Sequence, residues 1–308
     1  MTEASTIALG AEAGTTAGDD AARSLASDAW RSLRKNPIFW VSSALIFVFL
    51  LMAAWPSLFT GVDPNNAVLA DARAAPSSHN WFGRDIQGYD IYSRTIYGAR
   101  ASILVGVFTT AVTTVFGSAM GIVAGFYGGI MDTIISRVTD VFFAIPLLLG
   151  GILFMATFPN TIDSAYLVVV GKVVVVLSVF GWTSVARLMR SSVLQVKPND
   201  YVQAARALGA TPLRIIRSHL LPNAIAPVIV VSTINLGVFI SVEATLSFLG
   251  IGLTPPAISW GVAISDALDA LQTTPHILLF PSLFLSLAVL AFIMLGDAVR
   301  DAFDPKSR

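Results

Sequence analysis

Few side chains in this 308-residue sequence have the type and spacing that chemistry requires. The three histidines, His79, His219 and His276, lie far apart, and none has an acidic residue at the spacing of a metal-ligand pair. The absence of cysteine excludes thiolate catalysis, disulfides and cysteine-based zinc sites. The sequence also lacks the G-x-S-x-G turn of serine hydrolases and the G-x-x-x-x-G-K-[ST] phosphate loop. We therefore expect no catalytic residue, no metal site and no ATPase site in this chain.

Two charged residues stand inside apolar runs, where a charge must be neutralised, paired or brought to water. Glu243 is placed deep in its run, so it should face a bundle interior, a cavity or a hydrogen-bond partner. It is predicted either to line a substrate path or, as we favour, to have a structural role in which it is neutral or bonded to a neighbouring helix. Lys172 lies a few turns from the end of another run. Its ammonium group is expected to extend to the interface or to contact substrate, which makes these two residues the substrate-path candidates.

A third charged group lies near the predicted inner end of an apolar run. Asp132, Arg137 and Asp140 occupy positions i, i+5 and i+8. Arg137 and Asp140 can meet on one face of a helix. We interpret them as a structural ion pair rather than as a gate.

The elements that hold these residues are predicted to be membrane-spanning helices. The chain is 55% hydrophobic and 12% charged, a composition that excludes an ordinary soluble domain. Crossing a hydrocarbon core of about 30 Å takes roughly 20 apolar residues. Six candidate runs lie at about 38–59, 101–125, 141–158, 165–186, 224–249 and 277–296. Pro146 interrupts the third run. The predicted fold class is an all-α polytopic membrane protein with six transmembrane helices.

The distribution of basic residues predicts the orientation of these spans. With the N-terminus inside, 14 of the 19 Lys and Arg residues fall on the cytoplasmic side and four fall outside. Basic residues accumulate on the cytoplasmic side of membrane proteins. Both termini and the loop at residues 197–223 are therefore predicted to be cytoplasmic.

This cytoplasmic loop, KPNDYVQAARALGATPLRIIRSHLLPN, is the polar and basic stretch between two apolar runs. Asp200 is predicted to cap a first short helix, with Gln203 at the capping-box spacing. That helix should end at Leu208, because Gly209 can take the left-handed conformation that closes a helix.

A second short helix should follow. Thr211 is predicted to cap it, with Pro212 at its first position and Pro222 at its end. Arg214 and Arg217 then either contact water and lipid headgroups or pair with acidic residues of a cytoplasmic partner. The sequence favours neither of these two possibilities.

The loop resembles the EAA loop of ABC-importer permeases, which runs E-A-A, three residues, G, and then about nine residues to I-x-L-P. The matching residues are Gln203, Ala204, Ala205, Gly209, Leu220, Pro222 and Asn223. Gln203 stands where Glu is usual. In that family the loop is the coupling helix, which docks into a groove of a cytoplasmic ATPase. The resemblance assigns ATPase docking to Tyr201, Gln203, Ala204, Ala205, Arg206, Leu208, Gly209, Arg214 and Arg217.

Further segments resemble the second, C-type permease subunit of dipeptide/oligopeptide ABC importers. They lie at 80–106, 131–149, 180–194, 243–261 and 295–305. In the first of them RDIQGYD departs from the usual T-D-x-x-G-R-D. The implied organisation is a cytoplasmic disordered tail with a basic amphipathic segment (1–36), a first transmembrane helix with an extracytoplasmic loop (37–97), and a permease core that includes the coupling loop (98–308).

The resemblance implies an ABC-importer permease fold in the bacterial inner membrane. The implied partners are a homologous second permease, two cytoplasmic ATPase subunits or domains that carry ATP and Mg, and an extracytoplasmic solute-binding protein. No cofactor is expected in this subunit, and no nucleic acid. The implied cargo is a short peptide, with a nickel complex or haem as alternatives. A self-sufficient secondary transporter or channel would explain the spans, Glu243 and Lys172, but not the register of the loop.

Overall fold

The computed structural model describes residues 25–161 and 163–303, and within these ranges the chain is helical. The only β-type pairing there is an isolated bridge between Arg84 and Asp90. The helices are α1 (Leu25–Lys35), α2 (Pro37–Ala54), α3 (Ile91–Tyr127), α4 (Gly129–Ala144), α5 (Leu147–Thr157), α6 (Tyr166–Val196), α7 (Asp200–Ala207), α8 (Pro212–Ile215), α9 (Leu221–Ala224), α10 (Ala226–Phe248), α11 (Trp260–Asp266) and α12 (His276–Phe303). The tail that is predicted to be disordered, residues 1–22, falls outside the described residues.

Five of these helices, α2, α3, α6, α10 and α12, are long and apolar enough to cross a membrane. The third predicted span is instead the pair α4 and α5, bent by 80°. The break lies at Ile145, which has an extended backbone (φ −87°, ψ 118°) because the ring of Pro146 disfavours helix in the residue before it. The count of six spans is reached when this bent pair is one span, which confirms the predicted all-α membrane fold.

Helices α3 and α6 pack closely together at the centre of the bundle. Gly117, Gly121 and Gly125 of α3 face α6, one per turn. A Cβ at Gly121 would lie 2.5 Å from the carbonyl oxygen of Ala186. The small-residue stripe therefore sets the distance between the two backbones, as glycine stripes do in membrane helix pairs.

Helix α3 is longer than its apolar run. It begins at Ile91, where the Oδ1 atom of Asp90 accepts a hydrogen bond of 2.7 Å from the backbone N–H of Ser93. Its first turns carry polar residues and precede the apolar run predicted at 101–125. The helix passes without interruption through residue 97, and the division of the chain at 36 and 97 stays a prediction.

The loops at the start of α3 form a packed layer held by polar contacts. The Oδ1 atom of Asp85 accepts hydrogen bonds of 2.9 Å from the backbone N–H groups of Gln87 and Tyr89, and Arg94 bonds its Oδ2 at 3.3 Å. Trp260 of α11 is fully buried, and its indole N–H donates to the carbonyl of Thr95 at 2.9 Å. These contacts tie the segment before α3 to the first turns of α3, and α3 to α11.

Asp266, at the end of α11, is predicted to make the stability of this layer depend on pH. Burial raises the pKa of its carboxyl group; the nearby Arg94 opposes this shift and Asp85 adds to it. A carboxyl group whose pKa is higher in the folded state contributes stability at low pH that is lost as pH rises through the folded pKa. Asp266→Asn should therefore raise the unfolding temperature at pH 7, and the gain should vanish toward about pH 4. Thermal unfolding of the detergent-solubilised protein across this range measures the difference, and a gain independent of pH would contradict the assignment.

Candidate functional site

The loop at residues 197–223 folds into the two short helical segments predicted for it. The first is α7, and its N-cap is Asn199, whose side chain makes no capping bond. The prediction that Asp200 caps this helix is therefore wrong, because the chain turns into helix one residue earlier. The side-chain amide of Gln203 donates at 3.0 Å to the carbonyl of Lys197 instead of completing a capping box.

The turn after α7 is the one predicted from Gly209. This glycine has φ +80°. The N–H of Gly209 bonds the carbonyl of Arg206, and the N–H of Ala210 bonds that of Ala205, both at 3.0 Å. These two bonds are the paired contacts of a Schellman C-terminal motif. No heavy atom beyond its chain neighbours lies within 4 Å of a Cβ built on Gly209, so the turn projects into open space.

The second segment starts at Thr211 and Pro212 as predicted, but Pro222 does not end it. A π turn at Ile216–Leu220 leads directly into α9, and the N–H of Leu221 bonds the carbonyl of Ile216. Pro222 lies in the first turn of α9, where its missing N–H leaves no donor unpaired. The helical path therefore continues through Ala224.

Buried side chains fix the loop to the bundle. Val202, Ile215 and Leu220 are almost fully buried, and they pack in one cluster with Met189 and Val193 of α6. Lys197 adds a polar contact, since its Nζ atom donates at 3.2 Å to the carbonyl of Gly125 in the last turn of α3. The loop is thus attached to both central helices.

The opposite face of the loop is apolar and exposed. Leu208 is 88% exposed, Leu213 62% and Tyr201 42%. The other residues assigned to ATPase docking lie on the same loop: Gln203, Ala204, Arg206, Gly209, Arg214 and Arg217 are exposed, and Ala205 is half-buried. Large exposed apolar side chains ringed by polar residues are typical of protein-interaction surfaces. Leu213 joins this surface although the motif does not single it out. We call this set, together with Leu213, the loop tip.

Glu243 is remote from the loop tip and fully buried in α10. Its Oε1 atom accepts a hydrogen bond of 2.8 Å from the Ser247 hydroxyl, which itself accepts from the backbone N–H of Leu253 at 2.9 Å. Within the described residues Oε2 has no hydrogen-bond partner. The hydroxyls of Ser102 and Ser259 also interact with the carboxyl group. The geometry is that of a buried group linking α10 to the following loop.

The side chain of Lys172 bonds to backbone carbonyls rather than to an acidic side chain. Its Nζ atom donates to the carbonyls of Pro159 at 3.0 Å and Phe158 at 3.4 Å. These carbonyls follow the C-terminus of α5, where a cation is favourable. Its role in a substrate path stays a prediction.

The inner charged group is larger than the sequence indicated. Arg137 and Asp140 do lie in an i, i+3 pair, but at 3.7 Å and largely exposed. Asp140 makes a shorter contact of 2.8 Å with Arg187, and Asp132 accepts bonds of 2.5 and 2.7 Å from Arg190. Arg187 and Arg190 belong to α6, so these pairs join α4 to α6. The sequence did not predict these pairs, because they depend on helix packing. Their only sequence signal was that Arg187 and Arg190 lie one turn apart near the C-terminal end of α6.

Comparison of the sequence with known families identifies the family of this chain. Residues 117–308 match the family described as "Binding-protein-dependent transport system inner membrane component". The chain belongs to this family. Residues 24–76 also match the family described as "N-terminal TM domain of oligopeptide transport permease C". The chain is therefore a multi-pass transport permease of the inner membrane, and this overturns the alternative of a self-sufficient secondary transporter or channel.

Curated relatives are similar over almost the whole chain. The oligopeptide transport system permease protein OppC of Bacillus subtilis is 37% identical over 285 residues, covering 92% of this chain and 91% of its own length. The dipeptide transport system permease protein DppC of the same organism is 39% identical over 290 residues, covering 92% and 87%. The glutathione transport system permease protein GsiD of Pectobacterium atrosepticum is 34% identical, covering 90% of each chain.

Solved structures support the fold. A chain of the MetNI methionine ABC transporter in an inward-facing conformation aligns with a TM-score of 0.54 at 21% identity, covering 68% of this chain and 96% of its own. At this identity the likeness concerns the fold alone. It confirms the predicted ABC-importer permease architecture.

Proposed function

We propose that this chain imports short peptides as one of two paired permeases driven by cytoplasmic ATPases. The observation that carries the proposal is the similarity to oligopeptide and dipeptide permeases over nine-tenths of the chain. The same relatives favour peptides over the nickel or haem alternatives. Among the described residues no group of His, Cys, Asp or Glu is arranged to hold a metal ion, and ATP and Mg²⁺ are assigned to the partner subunits.

The loop tip is proposed as the ATPase-docking surface. Leu208 and Leu213 supply an apolar contact, as expected of a short helix that enters a groove. Arg206, Arg214 and Arg217 surround them and would meet acidic residues on the ATPase. Because Val202, Ile215 and Leu220 hold the loop to α6, movement of the tip is transmitted to the spans as a rigid-body displacement.

Transport assays test this function directly. The chain, a homologous second permease, the ATPases and the binding protein are reconstituted together in liposomes. Uptake of a labelled dipeptide should require both ATP and the binding protein, and it should persist when proton and sodium gradients are collapsed. Uptake that follows an ion gradient without ATP would contradict the proposal.

The proposed orientation places both termini and the loop tip in the cytoplasm. A reporter that is active only in the cytoplasm should give no signal when fused after Asn160, which lies between α5 and α6, and full signal when fused after Thr211. The expectation follows from the concentration of basic residues on the loop side. Comparing reporter activity, normalised to protein amount, measures it, and the reverse pattern would exclude docking of a cytoplasmic ATPase on this loop.

A further inference from the structure

A pocket of about 610 Å³ with both polar and apolar walls lies at the end of the bundle opposite the loop tip. It is bounded by the segment after α2, the first half of α3, the first turn of α6 and the loop before α11. Its lining includes Asp63, Tyr97, Arg100, Tyr166 and Pro256. The volume falls in the usual range of about 300–1,000 Å³ for small-molecule sites.

Arg100 is held in place by backbone and keeps binding capacity. Its Nε atom donates to the carbonyl of Ala53 at 2.9 Å, and Nη2 donates to that of Ala54 at 3.2 Å. These contacts orient the guanidinium group and leave Nη1 for another acceptor. Among the described residues no carboxylate pairs with Arg100. A fixed guanidinium without a counter-ion is suited to a ligand carboxylate.

Asp63 supplies the opposite charge in the same pocket. It is exposed, and its Oδ1 atom accepts a 2.8 Å hydrogen bond from the backbone N–H of Asn65. Oδ2 has no such bond, and within the described part of the chain no Lys or Arg pairs with Asp63. The pocket thus combines an anion and a cation that do not neutralise each other.

The walls of the pocket provide further recognition groups. The hydroxyl of Tyr166 is buried and has no hydrogen-bond partner among the described residues, and it interacts electrostatically with Arg100. Val62, Pro256 and Ile258 add apolar surface. An unpaired buried hydroxyl is costly, so a ligand that bonds to it gains free energy.

A second cavity, of about 530 Å³ at the other end of the bundle, lacks this property. It is lined by Asp132, Asp140, Arg187 and Arg190. Asp140 already bonds to Arg187 there, and Asp132 to Arg190, at 2.8 Å or less. A ligand there would have to displace protein ion pairs, whereas the pocket at Arg100 offers free charges.

We propose that the pocket at Arg100 and Asp63 is a subsite that binds the two charged ends of a zwitterionic short peptide on the extracytoplasmic face. Arg100 binds the peptide's carboxylate, Asp63 binds its ammonium group, and the Tyr166 hydroxyl bonds a peptide group between them. The proposal rests on peptide import and on the orientation given above. It adds a place where cargo is held before it enters the spans.

The natural absence of cysteine allows a direct test in the assembled transporter in nanodiscs. Asn65→Cys places a single thiol of this subunit in the pocket, and Ser57→Cys provides a second position in its lining. Gln272→Cys is the matched control, exposed in another loop at the same end of the bundle. The rate of modification by a charged thiol reagent is measured with and without L-alanyl-L-alanine. We expect the dipeptide to slow modification at 65 and 57 about threefold or more, and to leave residue 272 unchanged.

Blocked peptides test which charges are recognised. N-acetylated and C-amidated alanyl-alanine should protect about 1.4- to 5-fold less, the range for losing one exposed charge contact. Asp63→Asn keeps the Oδ1 acceptor for Asn65 but removes the charge, so it should abolish the difference between free and N-acetylated peptide. Arg100→Lys should reduce the difference between free and amidated peptide.

Three results would overturn the subsite. They are unchanged modification rates with the dipeptide, equal protection by blocked and free peptides, and full protection by the peptide-free binding protein alone, which would make this surface a protein-docking site. ATP-dependent uptake is measured on the same samples. Normal uptake without protection rejects the subsite and leaves peptide import standing, whereas absence of ATP-dependent uptake by the wild type rejects the proposed function itself.

Discussion

Gly209→Val is expected to abolish coupling between ATP hydrolysis and uptake while leaving the membrane bundle intact. Gly209 has φ +80°, and a β-branched residue in this conformation costs about 1–2 kcal/mol. A cost of this size changes an equilibrium by about 5–30-fold. The valine side chain would meet no atom of this chain, because the space around the turn is open. Its expected effects are therefore a distorted turn and added bulk at the proposed ATPase-docking surface.

Gly250 offers a control with matched local geometry. It also has positive φ (+75°), also follows the end of a helix, and also has no heavy atom within 4 Å of an added Cβ. It lies at the opposite end of α10 from the loop. Gly250→Val should therefore suffer similar backbone strain and still retain the ATPase, and Gly209→Ala should be milder than Gly209→Val.

Pull-down of the ATPase subunits and dipeptide uptake measure these variants side by side. Gly209→Val should insert and pair with the second permease, but lose the ATPase or retain it without uptake. Wild-type uptake by this variant would show that the loop is not the coupling element. Equal loss in both valine variants would attribute the effect to strain alone.

The second large effect is expected at Glu243. Glu243→Leu removes the acceptor of the Ser247 hydroxyl, which also holds the N–H of Leu253. Leaving a buried polar group unpaired costs about 1–3 kcal/mol, so we expect loss of assembly or of transport. Glu243→Gln retains an acceptor oxygen and should keep most uptake.

Ser241→Ala is the control for Glu243, since its hydroxyl bonds only within α10, to the carbonyl of Gly237. It should leave assembly and uptake near the wild-type level. Assembly is measured by size-exclusion chromatography of the complex, and uptake in proteoliposomes. Loss of uptake in Glu243→Gln with the complex intact would show that an ionised carboxylate is required, in favour of a role in the substrate path.

The sequence predicted the spans better than their ends. Hydropathy detects the part of a helix that crosses hydrocarbon, so the run at 101–125 was found, but not the polar first turns of α3 that Asp90 caps. Pro146 indicated an interruption in the third span, yet its 80° bend depends on how α4 and α5 pack against α6. Local signals cannot supply such angles.

In the candidate site, too, local sequence signals predicted some features, whereas others depend on helix packing. Gly209 was predictable, because a single glycine between two helix signals readily adopts the positive φ that closes a helix. The burial of Val202 and the exposure of Leu208 were not, since both are apolar and only packing against α6 distinguishes them. The pairs of Asp132 with Arg190 and of Asp140 with Arg187 likewise required the position of one helix against another.

Because α3 is long, a small tilt of this helix produces a large displacement at its far end. Its 37 residues extend over about 55 Å, and α6 holds it through the glycine stripe along its second half. A rod of this length that tilts by about 5° about its C-terminal end displaces its far end by about 5 Å. Lys197 joins the loop to the last turn of α3, and Arg100 and the pocket lie toward its first turns. A small rotation at the end of α3 near the loop tip would thus move the pocket at Arg100 by more than the width of a water molecule.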